Sequence, residues 1–368
     1  FTDIVSRADL EDVRSLYLYG ENIAYNEIQS FEYIGSLPED DIDRIAKAYV
    51  NGYIKSFELA GIDLSKKQTV QIRFPVGFER IIRRAVKLFE ENNLKPLILR
   101  GSSQTGCIDT NPQFAYDHRY DEALYYNKAV KERKILVTKK AYDKYAKSAD
   151  VYAGPAVFEY FGEEKFEPAV KASACAFNEE QQKLHVSQRI ELAALVNNYI
   201  KKDSYSFTII AFPVPSIGDA YADIFRECIK INTLDTELFE RIQQALIDVL
   251  DRADRVHIKG RGDNCTDLYI KMADIDDYKT QTTFHNCLAD CNIPVGEVYT
   301  TPVLAGTDGI LNVNKVFIDG LEYRNLKIEF KDGMTCGYSC ANYDNDKDNT
   351  DYVRDNLMNQ FETLRWVN

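Results

Sequence analysis

Apolar positions in the first 254 residues recur in a pattern that predicts alternating strands and helices. The β-branched run from Thr69 to Phe74 predicts a strand, and Pro75 to Gly77 predicts the turn after it. Five apolar residues then fall on one helical stripe: Phe78, Ile81, Ile82, Ala85 and Phe89. Asn92-Asn93 ends this helix, and Leu97 to Leu99 begins the next strand. A strand, a helix and a second strand in this order predict parallel pairing.

A second unit of the same kind follows. Ser206 to Phe212 predicts a strand, and Pro213-Val214 leads into a helix. The likeness to the first unit suggests two related α/β halves, although four matching residues do not establish a repeat. A long amphipathic helix comes next. Six apolar residues predict its buried side: Leu238, Ile242, Ala245, Leu246, Val249 and Leu250.

Helices precede these units and hairpins follow them. The acidic run from Pro38 to Asp41 predicts a helix start ahead of an apolar face. After Asp254 the pattern changes to short strands, at Val256 to Ile258 and at Asp267 to Lys271. Hairpin cues come later, at Asp319-Gly320 and at Lys331 to Gly333.

These patterns predict an α/β protein with a mostly parallel sheet domain and N-terminal helices, followed by a β-rich (α+β) domain. A length of 368 residues also favours two domains. We place the first domain at residues 1–254, with a helical lead-in to about residue 68, and the second at residues 255–368.

Composition and charge narrow the class of protein. A hydrophobic content of 45% favours a folded chain, and a net charge of −13 argues against nucleic-acid binding, which begins with basic residues. The sequence contains no apolar run near the roughly 20 residues that span a bilayer, and no visible signal peptide. We therefore expect a cytoplasmic enzyme. The chain begins at Phe1 rather than Met, so we expect the true N-terminus to be missing.

The eight cysteines predict reduced thiols rather than a disulfide framework. Cys287 with Cys291, and Cys336 with Cys340, form two C-x3-C pairs that together could bind structural zinc. Zinc knuckles usually have two intervening residues, however, and Cys287 lies in a run whose pattern indicates a helix. Buried free thiols are the better interpretation.

The strongest candidate for chemistry is one carboxylate, Glu297, in the segment Asn292 to Pro302. It follows a Pro-x-Gly bend and precedes a β-branched and aromatic run that predicts a strand. A carboxylate held at such a junction suits a metal ligand or a catalytic base better than a solvated charge. The alternative is a buried carboxylate that caps a turn.

The segment around Glu297 resembles the signature of the metal-dependent aminopeptidases of the aminopeptidase T and aminopeptidase S type. Specific matches are Thr266-Asp267-Leu268, Phe284-His285-Asn286, Gly-Glu-Val-Tyr-Thr-Thr-Pro at 296–302 and Gly309-Ile310-Leu311, and looser ones are Phe74 to Gly77 and Tyr116 to Glu122. The resemblance implies that Glu297 is a ligand of a two-metal site that hydrolyses peptides. It also implies two divalent ions (zinc, cobalt or similar), peptide substrates, a homodimer and a catalytic second domain.

The chain departs from this family after the motif. The resemblance implies further ligands beyond Glu297: a second glutamate in a Gly-Glu pair, a histidine, a tyrosine and a His-x-Asp. Glu362-Thr363-Leu364 is followed by Arg365 to Asn368, so Asn368 stands where the second glutamate is expected. No histidine follows His285. We expect either a partial sequence with an incomplete catalytic domain or a chain that has lost half its site, and in both cases no activity from these residues alone.

The histidines are weaker candidates. His285, expected on a helix, is interpreted as a packed or surface residue rather than a ligand. His257 on a predicted strand is ambiguous, and His118 belongs to a charged cluster that indicates a structural network. The catalytic residues stay unassigned.

A different class of function is also open, a nucleotide- or anion-binding α/β module without peptidase activity. Gly101 to Gly106 follows a strand with the spacing of a phosphate-binding loop. Cys107 and Ile108 stand where lysine and Ser/Thr are needed, so only backbone N–H groups could bind an anion.

Overall fold

The computed structural model describes residues 1–20, 22–98, 112–163, 166, 169, 171–318 and 321–358. The α-helices within these residues are α1 (Thr2–Arg7), α2 (Tyr25–Ser36), α3 (Glu39–Leu59), α4 (Glu79–Glu91), α5 (Pro112–Asp117), α6 (Lys128–Lys144), α7 (Ala146–Asp150), α8 (Glu179–Asn197), α9 (Tyr221–Asn232), α10 (Thr236–Leu250) and α11 (Asp346–Val353). The strands are β1 (Thr69–Arg73), β2 (Lys95–Ile98), β3 (Tyr152–Phe161), β4 (Thr208–Pro213), β5 (Arg255–Lys259), β6 (Asp267–Lys271), β7 (Phe284–Cys287), β8 (Asn292–Ile293), β9 (Glu297–Thr300), β10 (Val303–Ile318), β11 (Leu321–Lys331) and β12 (Met334–Ser339). Short 3-10 segments lie at Val13–Tyr19, Leu64–Lys66, Asp121–Leu124, Lys202–Ser204 and Pro215–Ile217, and a π-helical segment at Arg354–Met358.

β1 to β4, joined by β8 from later in the chain, form a five-stranded parallel sheet in the order β2-β1-β3-β4-β8. β1, α4 and β2 form the predicted strand–helix–strand unit, and β4 with α9 forms the second. The strand order reverses direction at β1, because β2 lies on one side of it and β3 on the other. The predicted parallel α/β architecture is confirmed.

The main core lies between this sheet and helices α3, α4 and α9. The apolar face predicted for the helix after Pro38 is buried: Ile42, Ile45, Ala46, Tyr49 and Val50 are at most 2% exposed. Its spacing matches the α-helical repeat, so one side of α3 turns wholly into the core.

The second half is β-rich, as predicted. β12, β11, β10, β6 and β5 form an antiparallel sheet, in this order. Asp332 and Gly333 have φ of 47° and 72° and form the predicted turn between β11 and β12. Asp319 and Gly320 lie outside the described residues, but Ile318 pairs with Leu321 beside them, as a hairpin requires.

A two-stranded antiparallel ribbon, β7 with β9, corrects one prediction. The run that contains Cys287 was predicted to be helical and is a strand. Ala289 has a φ of 55°, which breaks a right-handed helix after Cys287, and β9 supplies a pairing partner of strand-forming residues. The chain then joins the parallel sheet as β8, so contacts cross residue 254, and the domain boundary there stays a prediction.

Helix α10 corrects a second prediction. The side predicted to be buried is largely exposed: Leu238 is 44%, Ile242 48%, Leu246 53% and Val249 69% exposed. The helix turns Gln243 and Ile247 inward instead, toward β7. Apolar residues cover more than half of the circumference of α10, so their pattern did not determine which side of the helix packs against the rest of the chain. None of the helices in the described part of the chain is long and apolar enough to cross a bilayer.

Candidate functional site

Glu297 is the first residue of β9 and lies just beyond the carboxyl end of β8. The preceding residue, Gly296, has a φ of 122°, a conformation that side-chain-bearing residues rarely adopt, so the predicted bend needs its glycine. The side chain of Glu297 is exposed. β8 is the edge strand of the parallel sheet, so Glu297 follows an edge strand and not the strands at which the strand order reverses. The alternative of a buried turn-capping carboxylate is wrong.

A buried glutamine fixes the backbone of Glu297. Cys287 pairs with Glu297 across the ribbon, and the Nε2 of Gln243 lies 2.8 Å from the carbonyl oxygen of Cys287 and 3.0 Å from that of Glu297. The same amide donates to Oδ1 of Asn286 at 2.6 Å. Gln243 is 3% exposed. One side chain of α10 therefore holds both strands at the residue pair that includes Glu297.

Two thiols and a carboxylate occupy the turn after β7. The Sγ of Cys287 lies 3.7 Å from Oδ1 of Asp290 and 3.7 Å from the carbonyl oxygen of Asn292, so its one S–H has two acceptors within reach. Burial, and next the negative charge of Asp290, raise the pKa of Cys287 to about 11. The same two causes raise the pKa of Cys291 to about 11. Both thiols are therefore protonated at neutral pH, which disfavours nucleophilic roles.

The structure gives no support to a four-thiolate zinc site. Cys336 lies exposed on β12, and the buried Cys340 donates to Asn349 at 3.4 Å. In the described residues, no group of three or more histidine, cysteine, aspartate or glutamate side chains is arranged to bind a metal ion. None of these four cysteines forms a disulfide; Cys287 and Cys340 are buried, Cys291 is half-buried and Cys336 is exposed.

The candidate histidines His285 and His257 contact other side chains and not Glu297. His285 stacks on Tyr299, with ring centroids 5.0 Å apart, on a strand rather than the predicted helix. His257 lies 2.7 Å from Asp267 and stacks on Tyr269. The interpretation of His285 as a packed or surface residue agrees with its contact, and His257, which the sequence left ambiguous, pairs with an aspartate on the neighbouring strand.

His118 also belongs to a local network. Its Nδ1 lies 2.8 Å from Asp121, and its ring lies 4.3 Å from that of Phe114. Nearby, Arg119 lies over the rings of Tyr116 and Tyr120. These contacts fit the structural network predicted for this cluster.

Two of the signature segments meet in the antiparallel sheet. Gly309 pairs with Leu268 and Ile310 pairs with Asp267. The hydroxyl of Thr266 donates to the carbonyl oxygen of Asn312 at 2.9 Å and accepts from the N–H of Asn312 at 2.9 Å. These segments therefore build the sheet. Asp267, His285 and Glu297 are the exposed acidic and histidine side chains of the specifically matched segments, and Asp267 and His285 contact His257 and Tyr299 respectively.

Sequence reasoning missed Gln243 and Asp290. The signal for Gln243 was one polar residue among Phe239, Ile247 and Leu250 on the inward side of an apolar helix. Asp290 had no comparable signal, because its closeness to both thiols depends on the turn at Ala289.

A cavity of about 600 Å³ lies behind the segment before Glu297. Residues of α3, the connection from α9 to α10, and Leu288 to Val295 line it. Arg44, Lys47 and Lys55 contribute positive charge, against the single carboxylate of Glu58. This excess of positive charge disfavours a divalent cation there.

Two predictions lie outside the described residues. The loop from Gly101 to Gly106, on which the nucleotide- or anion-binding alternative depends, is not among them, and neither is the segment from Glu362 to Asn368. The alternative module therefore stays a prediction without support from the structure.

Comparison of this sequence with models of known protein families identifies one matching family. A family model described as thermophilic metalloprotease (M29) matches residues 39–344, a span that includes both large sheets and the β7–β9 ribbon. No curated protein matches the sequence. Among solved structures, wild-type AmpT from Thermus thermophilus is similar to this chain, with a TM-score of 0.49 and 13% sequence identity; the alignment covers 86% of this chain and 74% of that one.

Proposed function

We propose that this chain, which belongs to the thermophilic metalloprotease (M29) family, is a metal-dependent aminopeptidase that removes N-terminal residues from peptides. The observation that carries the proposal is the position of Glu297. Its carboxylate is exposed beyond the end of β8, its backbone is held by Gln243, and it lies within the family-matched span. In this proposal Glu297 is a metal ligand.

Bound divalent cations supply the Lewis acidity that polarises a peptide carbonyl and lowers the pKa of water. The exposed carboxylate of Glu297 suits a hard cation, which prefers oxygen ligands. The other ligands of a two-metal site are not assembled within the described residues. We therefore assign Glu297 alone and derive no catalytic step through the metals.

Four finer statements belong to the same proposal. The complete site would hold two divalent ions, zinc, cobalt or similar. These 368 residues alone would be catalytically incompetent, because Glu297 is their only ligand matched to the family. An acidic chain with thiol cysteines favours a cytoplasmic location. The protein would form a homodimer that acts on peptide substrates and not on nucleic acid.

Replacing the carboxylate tests the proposal. We expect Glu297→Gln, made in the complete natural polypeptide, to abolish release of amino acids from aminoacyl amides. A chelator should have the same effect on the unmodified protein. Glu329→Gln is the matched control, since Glu329 is also an exposed strand glutamate. Turnover that survives both Glu297→Gln and the chelator would refute the assignment.

A further inference from the structure

The cavity of about 600 Å³ behind the segment before Glu297 has a polar wall that α3 forms. The residues of this wall recur at intervals of three or four, as residues on one side of a helix do: Arg44, Lys47, Asn51, Lys55 and Glu58. Gly52 also lines the cavity and brings α3 close to the turn after β7, because an added Cβ there would lie 2.7 Å from the carbonyl oxygen of Ala289. The volume is that of a small-molecule binding site.

Apolar side chains from the other elements line the cavity as well. Leu234 comes from the connection between α9 and α10, and Ile293 and Val295 come from the segment before Glu297. Leu234 is 38% exposed. An aliphatic group of a ligand in the cavity would cover Leu234 and remove its surface from water, which favours binding. A ligand that fits this cavity therefore has an aliphatic part.

One buried acceptor in the cavity lacks a donor. Asn232, the last residue of α9, lines the cavity and is only 7% exposed. Its Nδ2 donates to the carbonyl oxygen of Ala211 at 3.1 Å, whereas its Oδ1 accepts no hydrogen bond from the described residues. Polar atoms in such positions are nearly always hydrogen-bonded, so a ligand that fits should bring an N–H to Oδ1.

The guanidinium of Arg44 lies at the same end of the cavity as Asn232. Its Nη2 donates at 3.1 Å to the hydroxyl of Thr233, the residue after Asn232, and its Nη1 donates to Asp41 at 3.2 Å. The other three N–H groups of Arg44 have no acceptor within the described part of the chain. They can therefore bind an anion without breaking either of these hydrogen bonds.

Two lysines add to this positive charge. Lys47 lies 2.5 Å from Asp43, and Lys55 lies 3.4 Å from Glu58. Asp43 is not part of the cavity lining, so the lining itself carries more positive than negative charge. A carboxylate is the group that donors of this kind bind best, through charge-assisted hydrogen bonds.

We propose that this cavity binds the C-terminal end of a peptide whose last residue is aliphatic. The terminal carboxylate contacts Arg44 and Lys47, the last backbone N–H donates to Oδ1 of Asn232, and the aliphatic side chain packs on Leu234 and Ile293. The inference rests on the proposed function only in taking the ligand to be a peptide, and the cavity is separate from the metal-ligand position of Glu297.

The charge of the cavity favours a peptide end over a free amino acid. The nitrogen of a free amino acid is an ammonium, which the three cations of the lining repel. The nitrogen of a peptide bond is uncharged and donates one hydrogen bond, as Oδ1 of Asn232 requires. An amide N–H one carbon away from a carboxylate is what a peptide C-terminus or an N-acylated amino acid presents.

Calorimetric titration of the unmodified chain with N-acetylleucine tests the proposal. A chelator in the buffer removes any metal-dependent binding, so the heat reports on the cavity alone. We expect one site per chain with a dissociation constant in the millimolar range, as is usual for a ligand of about a dozen non-hydrogen atoms. The analogue N-acetylleucinamide, which lacks the carboxylate, and free leucine, which has the ammonium, should each bind at least about tenfold more weakly.

An N-methylated ligand tests the contact with Asn232. N-acetyl-N-methylleucine keeps the carboxylate and the aliphatic side chain but has no N–H, so it leaves Oδ1 of Asn232 without a donor. We expect its affinity to fall at least about fivefold below that of N-acetylleucine. Equal affinities would remove Asn232 from the site.

Two variants of the chain test the position of the site. Arg44→Gln with Lys47→Gln should weaken binding of N-acetylleucine at least about tenfold. Arg226→Gln with Lys230→Gln is the matched control and should bind like the unmodified chain. Arg226 and Lys230 are also exposed cations paired with acids on their own helix, but they lie outside the cavity.

Ala48→Trp, which places a large side chain in the cavity without changing its charge, should abolish binding. Thermal melts would confirm that each variant folds. Undetectable binding of N-acetylleucine to the unmodified chain, equal binding of N-acetylleucinamide, or full affinity in the Arg44/Lys47 variant would each overturn the proposal. Peptidase activity enters none of these titrations, so they leave the assignment of Glu297 to its own test.

Discussion

Glu79, at the first turn of α4, is a fully buried carboxyl group whose environment makes it titrate in an unusual range. The Tyr19 hydroxyl donates to one of its oxygens at 3.0 Å and the N–H of Gly77 to the other at 2.9 Å. Burial nevertheless dominates and raises its pKa from 4.5 to about 7, with the nearby Glu27 also raising it. The folded state thus keeps a proton that the unfolded chain has already released.

This difference predicts how stability changes with pH. Between pH 4.5 and about 7 the folded state binds more protons at Glu79 than the unfolded state, so the free energy of unfolding falls as pH rises. The fall amounts to roughly 3 kcal/mol at 1.36 kcal/mol per pKa unit, and it ends above the folded pKa. Glu79→Gln should remove this part of the pH dependence.

Urea unfolding at pH 5, 6, 7 and 8 measures the contribution of Glu79 to the pH dependence of the unfolding free energy. The difference in unfolding free energy between Glu79→Gln and the unmodified chain should shift in favour of the variant as pH rises. Glu90→Gln, an exposed glutamate on the same helix, should show no such trend. Parallel curves for Glu79→Gln and the unmodified chain would contradict the prediction.

At the scale of elements, the pairing of β6 with β10 depends on a glycine. Gly309 has a φ of 121°, and an added Cβ would lie 2.1 Å from the carbonyl oxygen of Asp267. No side chain fits between the two strands at this point. The Gly309-Ile310-Leu311 segment is thus explained by sheet packing and not by chemistry at the site.

Gly309→Ala should therefore destabilise the β-rich sheet by more than about 2 kcal/mol, through backbone strain together with the collision. Gly262→Ala is a control for backbone strain alone, because Gly262 has a φ of 64° with nothing within 4 Å of an added Cβ. It should cost about 1 kcal/mol. Equal losses of melting temperature in the two variants would show that the collision is relieved without cost.

Local patterns predicted those elements whose partners are also local. The β1–α4–β2 unit and the β11–β12 hairpin followed from turn residues and from one apolar stripe. The strand β7 and the orientation of α10 could not be predicted in this way. Each depends on a distant partner, β9 for the strand and the ribbon for the helix, so tertiary contacts overrode a helical spacing and an apolar face.

The residues of the candidate site also differ in how well the sequence predicts them. Glu297 was predictable because the bend and the strand start lie beside it in the sequence. Gln243 lies 54 residues away from it and contacts its backbone only after α10 packs on the ribbon. A side chain that holds a site residue of a different element is difficult to predict from sequence. For Gln243 the one signal was a polar residue on the inward face of an apolar helix.

At the scale of the whole molecule, the segment from β7 to β9 connects the two halves. β8 extends the parallel sheet at β4, while β7 and β9 pack against α10. The hydroxyl of Thr208 also donates to the carbonyl oxygen of Asp290. Glu297 is therefore anchored on the α/β side although its sequence lies in the β-rich half, and its position should be maintained as long as the parallel sheet is folded.

A single anchored carboxylate still does not make a two-metal site. One carboxylate cannot replace the hydration shells of two cations, and the described residues bring no further ligand set to it.

We predict that the 368-residue chain, folded and in isolation, binds no pair of zinc or cobalt ions tightly and does not hydrolyse aminoacyl amides. Isothermal titration with each metal should show no tight binding of two ions per chain, and amide assays with added cobalt or zinc should stay at the background rate. The Glu297→Gln form of the same chain, which should give the same background rate, is the control. Robust turnover that a chelator removes would show instead that the remaining ligands lie within these 368 residues.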